Sequence, residues 1–290
     1  MRKDFEAYLK SRQYSRKTIE TYLNSFKLYM EWLEKENIEL EQVSYNDLLL
    51  YVKHSGKTAS PRGLKGYMLV VKHLYSYLLS EGKVNQNPAI DIEVKGVKRK
   101  VLYHILEPYE LHQLYNTFKA ETPSERRKQV ILGLLIYQGL KTEELRKLDR
   151  EHVKLREGKI EVPGGIRSNG RTLQLESHQV MDLYDYTLQV RPELLAKMPQ
   201  PNETLLAISK NSGNISNLTT ELFRKLKEVN PNVLNTKQIR ASVITKWIKM
   251  YNLREVQYLA GHRYISSTEW YIENDLEGLK EEINQFHPLG

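Results

Sequence analysis

The sequence predicts a mainly α-helical protein. An N-terminal four-helix domain precedes a mixed, mostly helical C-terminal domain with a small antiparallel β-sheet. Three observations lead there. Up to Asn87, apolar residues recur at three- and four-residue spacing, the period of a helix face. Asn87-Pro88 and a basic stretch then interrupt the pattern. Beyond them the helical period returns, broken by two short apolar segments on either side of Ser168-Asn169-Gly170, a hairpin turn signal.

A short helix over Phe5–Leu9 opens the chain. Ser15 is placed to cap the next, whose apolar face is Ile19, Tyr22, Leu23, Phe26, Tyr29 and Leu33. Ser44 and Asp47 form a capping-box pattern ahead of Leu48, Leu49 and Val52. Ser60-Pro61, a cap followed by a first-turn proline, starts a fourth helix whose apolar face is Leu64, Tyr67, Met68, Val71, Leu74, Tyr75 and Leu78, and Gly82 ends it. In the second domain, helices are expected over Leu111–Phe118 and Ser124–Tyr137, the latter closed by Gly139, with a short one over Thr142–Leu148. Ile160–Val162 and Thr172–Leu175 read as strands. Helices follow over Gln179–Leu188 and Leu218–Val229. Thr236 is placed to cap another, whose buried face is Ile239, Val243, Ile244, Trp247 and Ile248. These signals divide the chain into domain 1–93, a basic linker 94–106 and domain 107–290, with a tail helix over 275–286.

The charge has a direction. The 290 residues carry 44 Lys+Arg against 36 Asp+Glu, a net charge of +8. Residues 1–100 hold 18 of the basic and 12 of the acidic residues, so most of the excess lies in the first domain and its linker, where Lys95, Lys98, Arg99 and Lys100 cluster. That suits a helical module and tether gripping a phosphate backbone. No cysteine is present, which excludes disulfides, cysteine nucleophiles and thiolate metal sites. The first residues mix charges without an apolar signal core, and the longest apolar run, near Val130–Tyr137, is too short to span a bilayer. The expectation is a cytoplasmic, nucleoid-associated protein with no membrane partner.

The candidate chemistry lies late in the chain. Lys237 and Arg240 are three residues apart, on one side of a first helical turn, where free N–H groups favour an anion. Gly261-His262 follows, then Ile265-Ser266-Ser267-Thr268-Glu269-Trp270-Tyr271. Ser266 and Glu269 make a capping-box pattern that sets Tyr271 early on a short helix.

This ordered set resembles the C-terminal signature of the tyrosine recombinases, the family of phage integrases and Xer-type recombinases. That signature runs His or Lys, two residues, Arg, then Gly-His some twenty residues on, and Tyr nine after the His. Here it reads Lys237, Arg240, Gly261-His262 and Tyr271. Upstream, Gly139-Leu140-Lys141 followed by Glu144-Leu145 resembles the family's first box, Gly-Leu-Arg and Glu-Leu. The N-terminal helices resemble the family's core-binding domain, so the likeness covers nearly the whole chain.

The resemblance implies a DNA recombinase or integrase acting at a double-stranded site, for integration or excision as in mobile elements, through a 3′-phosphotyrosyl intermediate. Tyr271 is then the nucleophile. Arg240, Lys141 and Lys237 neutralise the phosphate, His262 bonds it or moves protons, and Glu144 orients Lys141 or a neighbouring helix. No metal or other cofactor is called for, and the family implies a homotetramer on DNA. The tail, with Leu276, Leu279, Ile283 and Phe286 along one face, docks on a neighbouring subunit or on its own domain. Two positions depart from the pattern. Lys141 stands where the family has arginine, a point charge in place of a two-pronged donor. The hairpin turn lacks the family's lysine, and Arg167 or Arg171 are the candidates to stand in. A DNA-binding protein of this fold that no longer cuts, and a type IB topoisomerase-like enzyme, share these features.

Overall fold

The computed structural model describes residues 1–96, 104–165, 168–198, 204–208 and 213–272. The chain divides into two compact units, Met1–Arg99 and Lys100–Gly290, each with its own apolar core. Arg167, Lys98, Arg99, Lys100 and the tail helix lie outside the described residues.

The first unit is helical. It contains α1 (Arg2–Ser11), α2 (Arg16–Glu36), α3 (Tyr45–Ser55) and α4 (Pro61–Ser80). The caps are those the side chains dictate. The Ser15 and Ser60 hydroxyls accept from the amides of Thr18 and Gly63, and Ser44 with Asp47 closes a reciprocal capping box. Phe5, Phe26, Tyr29, Met68, Leu74 and Leu78 fill the core. The buried Tyr75 hydroxyl donates to Leu40 O (2.9 Å) and accepts from Tyr29 (2.9 Å), so neither phenol is left unpaired.

The second unit holds α5 (Pro108–Thr117), α6 (Pro123–Ile136), α7 (Thr142–Lys147), α8 (Ser177–Asp185), α9 (Arg191–Ala196), α10 (Gly213–Val229), α11 (Thr236–Met250) and α12 (Leu253–Ala260). A further helix, α13, begins at residue 266 and includes 272. Helix α6 is central, with Val130–Ile136 all buried, and packs against α5, α8, α9, α10 and α11. The sheet is β1 (Val153–Lys154), β2 (Lys159–Val162) and β3 (Arg171–Gln174), antiparallel in that order, with Ile160 opposite Leu173. The mostly helical fold with its small antiparallel sheet is the one the sequence predicts.

Some details differ. The cap of α11 is Asn235, whose Oδ1 accepts from the amides of Lys237 and Gln238. Thr236 is already helical. Helix α13 likewise starts at Ser266, with Ile265 O accepting from Glu269 N, so Ser266 is not its cap. The hairpin closes earlier than Ser168-Asn169-Gly170, because Gly165 already pairs with Ser168. Strand β1 is two residues long, too short to show alternation. Between α8 and α9, Tyr186–Val190 forms a π-helical turn. Pro192, which has no amide hydrogen to continue the i→i−4 ladder, lies two residues beyond it.

Candidate active site

Arg240 sits on the second turn of α11 with its head buried. Its guanidinium donates to the carbonyls of Gly139 and Ala260, the latter at 2.6 Å. Two left-handed glycines present those oxygens. At Gly139 (φ 57°) the chain turns out of α6 against α11, where a Cβ would meet Val243 Cγ1 at 3.1 Å and Trp247 at 3.3 Å. At Gly261 (φ 62°) α12 ends in a left-handed C-cap, leaving Ala260 O free for Arg240. Burial lowers the Arg240 pKa, Glu144 opposes that shift, and a guanidinium stays charged throughout the physiological range.

His262, the residue after that turn, is buried. Its Nε2 lies 3.3 Å from Arg240 Nη2 and its Nδ1 lies 2.9 Å from Thr268 Oγ1. Arginine can only donate, so Nε2 accepts, and Nδ1 carries the proton toward Thr268. Burial, then Arg240, Lys141 and Arg171, push the imidazole pKa down to about 3, so the ring is neutral at neutral pH. The half-buried Tyr271, on α13, stacks on this ring, with centroids 5.9 Å apart and planes 12° from parallel. Its phenol interacts with Arg240 by charge and hydrogen bonding.

Beneath these groups lies a buried ion pair. Glu144, on the first turn of α7, accepts the Lys141 amide at Oε2 (2.8 Å). Its carboxylate also takes two bonds from Arg171, Nη1 to Oε1 (2.9 Å) and Nη2 to Oε2 (3.1 Å). Arg171 Nε donates to Leu259 O (2.7 Å). Burial acts to raise the Glu144 pKa, but Arg171, the Lys141 amide and Arg240 outweigh it and hold the carboxyl below its usual range. Arg171 is thus not the exposed phosphate contact the hairpin position suggested. Its side chain is 0% exposed, and each of its three nitrogens donates to Glu144 or Leu259. The sequence carried a signal for this. In β3, residues 171 and 173 share the inward face, and an inward arginine demands a buried partner.

Lys141 is half-buried at the N-cap of α7. Among the described residues its ammonium has no hydrogen-bond or ion-pair partner. Burial first, then Arg240 and Arg171, lower its pKa, with Glu144 opposing. Lys237 is exposed, one turn before Arg240 on α11, so the two cations face different surroundings. Lys95 is exposed in the first unit. Sequence reasoning did not find Thr268, the carbonyls of Gly139 and Ala260, or the Arg171–Glu144 pair. The first three act through a short side chain or the backbone, which no motif spacing exposes.

The second unit thus brings Tyr271, Arg240, His262, Lys141 and Glu144 to one place: a phenol beside a fixed guanidinium, a neutral imidazole and an ammonium with no partner among the described residues. Such a set can bind an anionic phosphoester and present an oxygen nucleophile to it.

Comparison with known proteins agrees. The phage integrase family pattern matches residues 104–277, and that family's N-terminal SAM-like domain matches residues 3–82. The tyrosine recombinase XerC of Anoxybacillus flavithermus is 26% identical over 296 residues, covering 98% of this chain and 96% of the relative. The tyrosine recombinase XerD of Listeria monocytogenes is 27% identical over 292 residues, covering 94% and 93%. Among solved structures, the XerH site-specific recombinase on palindromic difH substrate after cleavage aligns with TM-score 0.73 at 18% identity, covering 95% and 81%. A lambda integrase dimer bound to a COC′ core site aligns with TM-score 0.64 at 13% identity, covering 93% of each chain. With both domains matched in order and the site assembled from the residues of its signature, the chain belongs to the phage integrase family.

Proposed function

We propose that the protein is a site-specific DNA recombinase that cuts and rejoins strands through a 3′-phosphotyrosyl intermediate, with Tyr271 as nucleophile. The observation that carries this is Tyr271 stacked on neutral His262 and engaged with buried Arg240, with Lys141 in the same site and without a partner among the described residues. A phosphodiester repels an oxygen nucleophile, and charge builds on its non-bridging oxygens during attack. Arg240 supplies the compensating charge. His262 gives Tyr271 a flat surface to lie on and, through Nε2, helps hold Arg240. Glu144 ties the Lys141 backbone to Arg171 and keeps α7 against β3. Because phosphodiester energy is kept in the phosphotyrosine, religation needs no nucleotide.

The partner is a duplex recombination site, and exchange of two duplexes takes four protomers. The relatives named recombinases and the DNA-bound neighbours support this reading. Among the described residues, no helix is long and apolar enough to cross a membrane. The test is incubation with nicked DNA bearing candidate sites, followed by detergent and sequencing of trapped ends. A covalent adduct at a discrete site, absent from Tyr271→Phe, is expected. Site-selective binding with no adduct would favour a non-cutting DNA-binding protein.

A further inference from the structure

We propose that Lys141 is the general acid of strand cleavage, delivering a proton to the leaving 5′ oxygen; this rests on the phosphotyrosyl reading above. An alkoxide leaves poorly, since an alcohol is about as weak an acid as water, with a pKa near 15.7. Some group must therefore protonate it as the P–O bond breaks.

The donors in the described site can be weighed one by one. Arg240 is bonded to two carbonyls and to His262, and a guanidinium does not give up its proton. Arg171 is sealed against Glu144 and Leu259. Neutral His262 has one N–H, already directed at Thr268, and its other nitrogen accepts from Arg240. Lys141 differs from all three. Its ammonium is half-buried, carries labile protons and has no partner among the described residues.

The reason it has none is structural. Glu144 already accepts three bonds, two from Arg171 and one from the Lys141 amide, so most of the carboxylate's hydrogen-bonding capacity is met without the ammonium. Arg171 thus satisfies the acid that would otherwise claim Lys141. Burial and the two guanidiniums ease loss of the proton. Lysine in place of the family's arginine then brings a chemical ability that arginine lacks.

The step balances. Tyr271 Oη bonds to phosphorus and its proton goes to solvent. The P–O5′ bond breaks with its electron pair on O5′, and a proton from Lys141 Nζ makes the 5′ hydroxyl. Lys141 is left a neutral amine. In religation it takes the proton back as the 5′ oxygen attacks and Tyr271 departs.

The test is a substrate with sulfur in place of the 5′ bridging oxygen at the scissile phosphate. A thiol, with pKa about 8.5, departs as the thiolate without help. On ordinary DNA, Lys141→Ala should cut cleavage by about 10²- to 10⁴-fold, the size of a general-acid contribution. On the sulfur-bridged DNA most of that loss should vanish. Lys141→Arg, which keeps the charge, should show the same defect and the same rescue. Arg240→Ala should be defective on both substrates. Equal loss for Lys141→Ala on both substrates, or no loss on ordinary DNA, overturns the proton assignment while leaving the nucleophile in place. No adduct from the unsubstituted chain on either substrate overturns the phosphotyrosyl reading and this proposal with it.

Discussion

Glu144 and Arg171 are both buried, and each would be costly there alone. Replacing a buried pair outright can be nearly neutral, whereas removing one partner strands a charge, at about 3–5 kcal/mol. Arg171→Met should therefore destabilise the second unit by about that much, and adding Glu144→Leu should recover a large part, read by urea unfolding of the three variants. Additive losses would mean the two side chains do not depend on each other. His262 gives a second prediction. Its folded pKa, about 3, lies below the ordinary 6.5, because burial and three cations oppose its charge. A depressed histidine adds stability that is complete above 6.5 and drains away as pH falls toward the folded value. The slope inside that window is about 1.4 kcal/mol per pH unit for one group. Unfolding measured at pH 7 and pH 5 should show the unsubstituted chain losing more stability than His262→Gln. Equal losses would mean the ring is not held neutral.

Between elements, the Gly261-His262 turn and the β2–β3 hairpin depend on each other. Asn169 N donates to Gly261 O (3.2 Å), Ser168 bridges to His262, and Arg171 lies directly beneath Gly261. A Cβ at residue 261 would come within 2.9 Å of Arg171 Cζ and 3.0 Å of Asn169 O, at a backbone φ of 62°. Gly261→Ala should cost at least about 1–2 kcal/mol from the left-handed backbone alone. It should also displace Arg171 and His262, so that cleavage falls further than stability does. Normal cleavage in a folded Gly261→Ala chain would show that the turn does not set the site. The sequence revealed these elements unevenly. The Gly-His pair and the hairpin were legible as separate signals, because turn glycines and alternation are local. Their mutual docking was not, since it rests on an arginine whose burial depends on residues far away in the chain. The Asn235 cap was missed for a related reason: Asn, Thr and Ser are similar capping residues, and only the backbone shows which of two neighbours is the cap.

For the whole chain, what could be read depended on how repetitive the signal was. Helices α2 and α4 announce their buried faces several times over, as with Ile19, Leu23 and Phe26 or Leu64, Met68 and Val71, so both were legible, whereas the short α1, read as Phe5–Leu9, spans Arg2–Ser11 and Leu49 of the apolar run in α3 is exposed. The second unit was legible in outline, because Arg240, His262 and Tyr271 keep a fixed order and spacing. What was hidden was the identity of the cation beside each oxygen, which depends on contacts between distant elements. Net charge is the property that belongs to no single element, and it supports the last prediction. Lys95, Lys98, Arg99 and Lys100 lie together in a chain whose basic excess is concentrated before residue 101. If these four contact DNA phosphates, binding releases a counterion for each, and the log–log slope of affinity against salt steepens by about 0.9 per contact. Changing all four to Gln should make that slope shallower by up to about 3.6, and weaken binding to specific and unrelated duplexes alike. An unchanged slope would mean that the segment is a solvated tether and that the phosphate grip lies elsewhere on the chain.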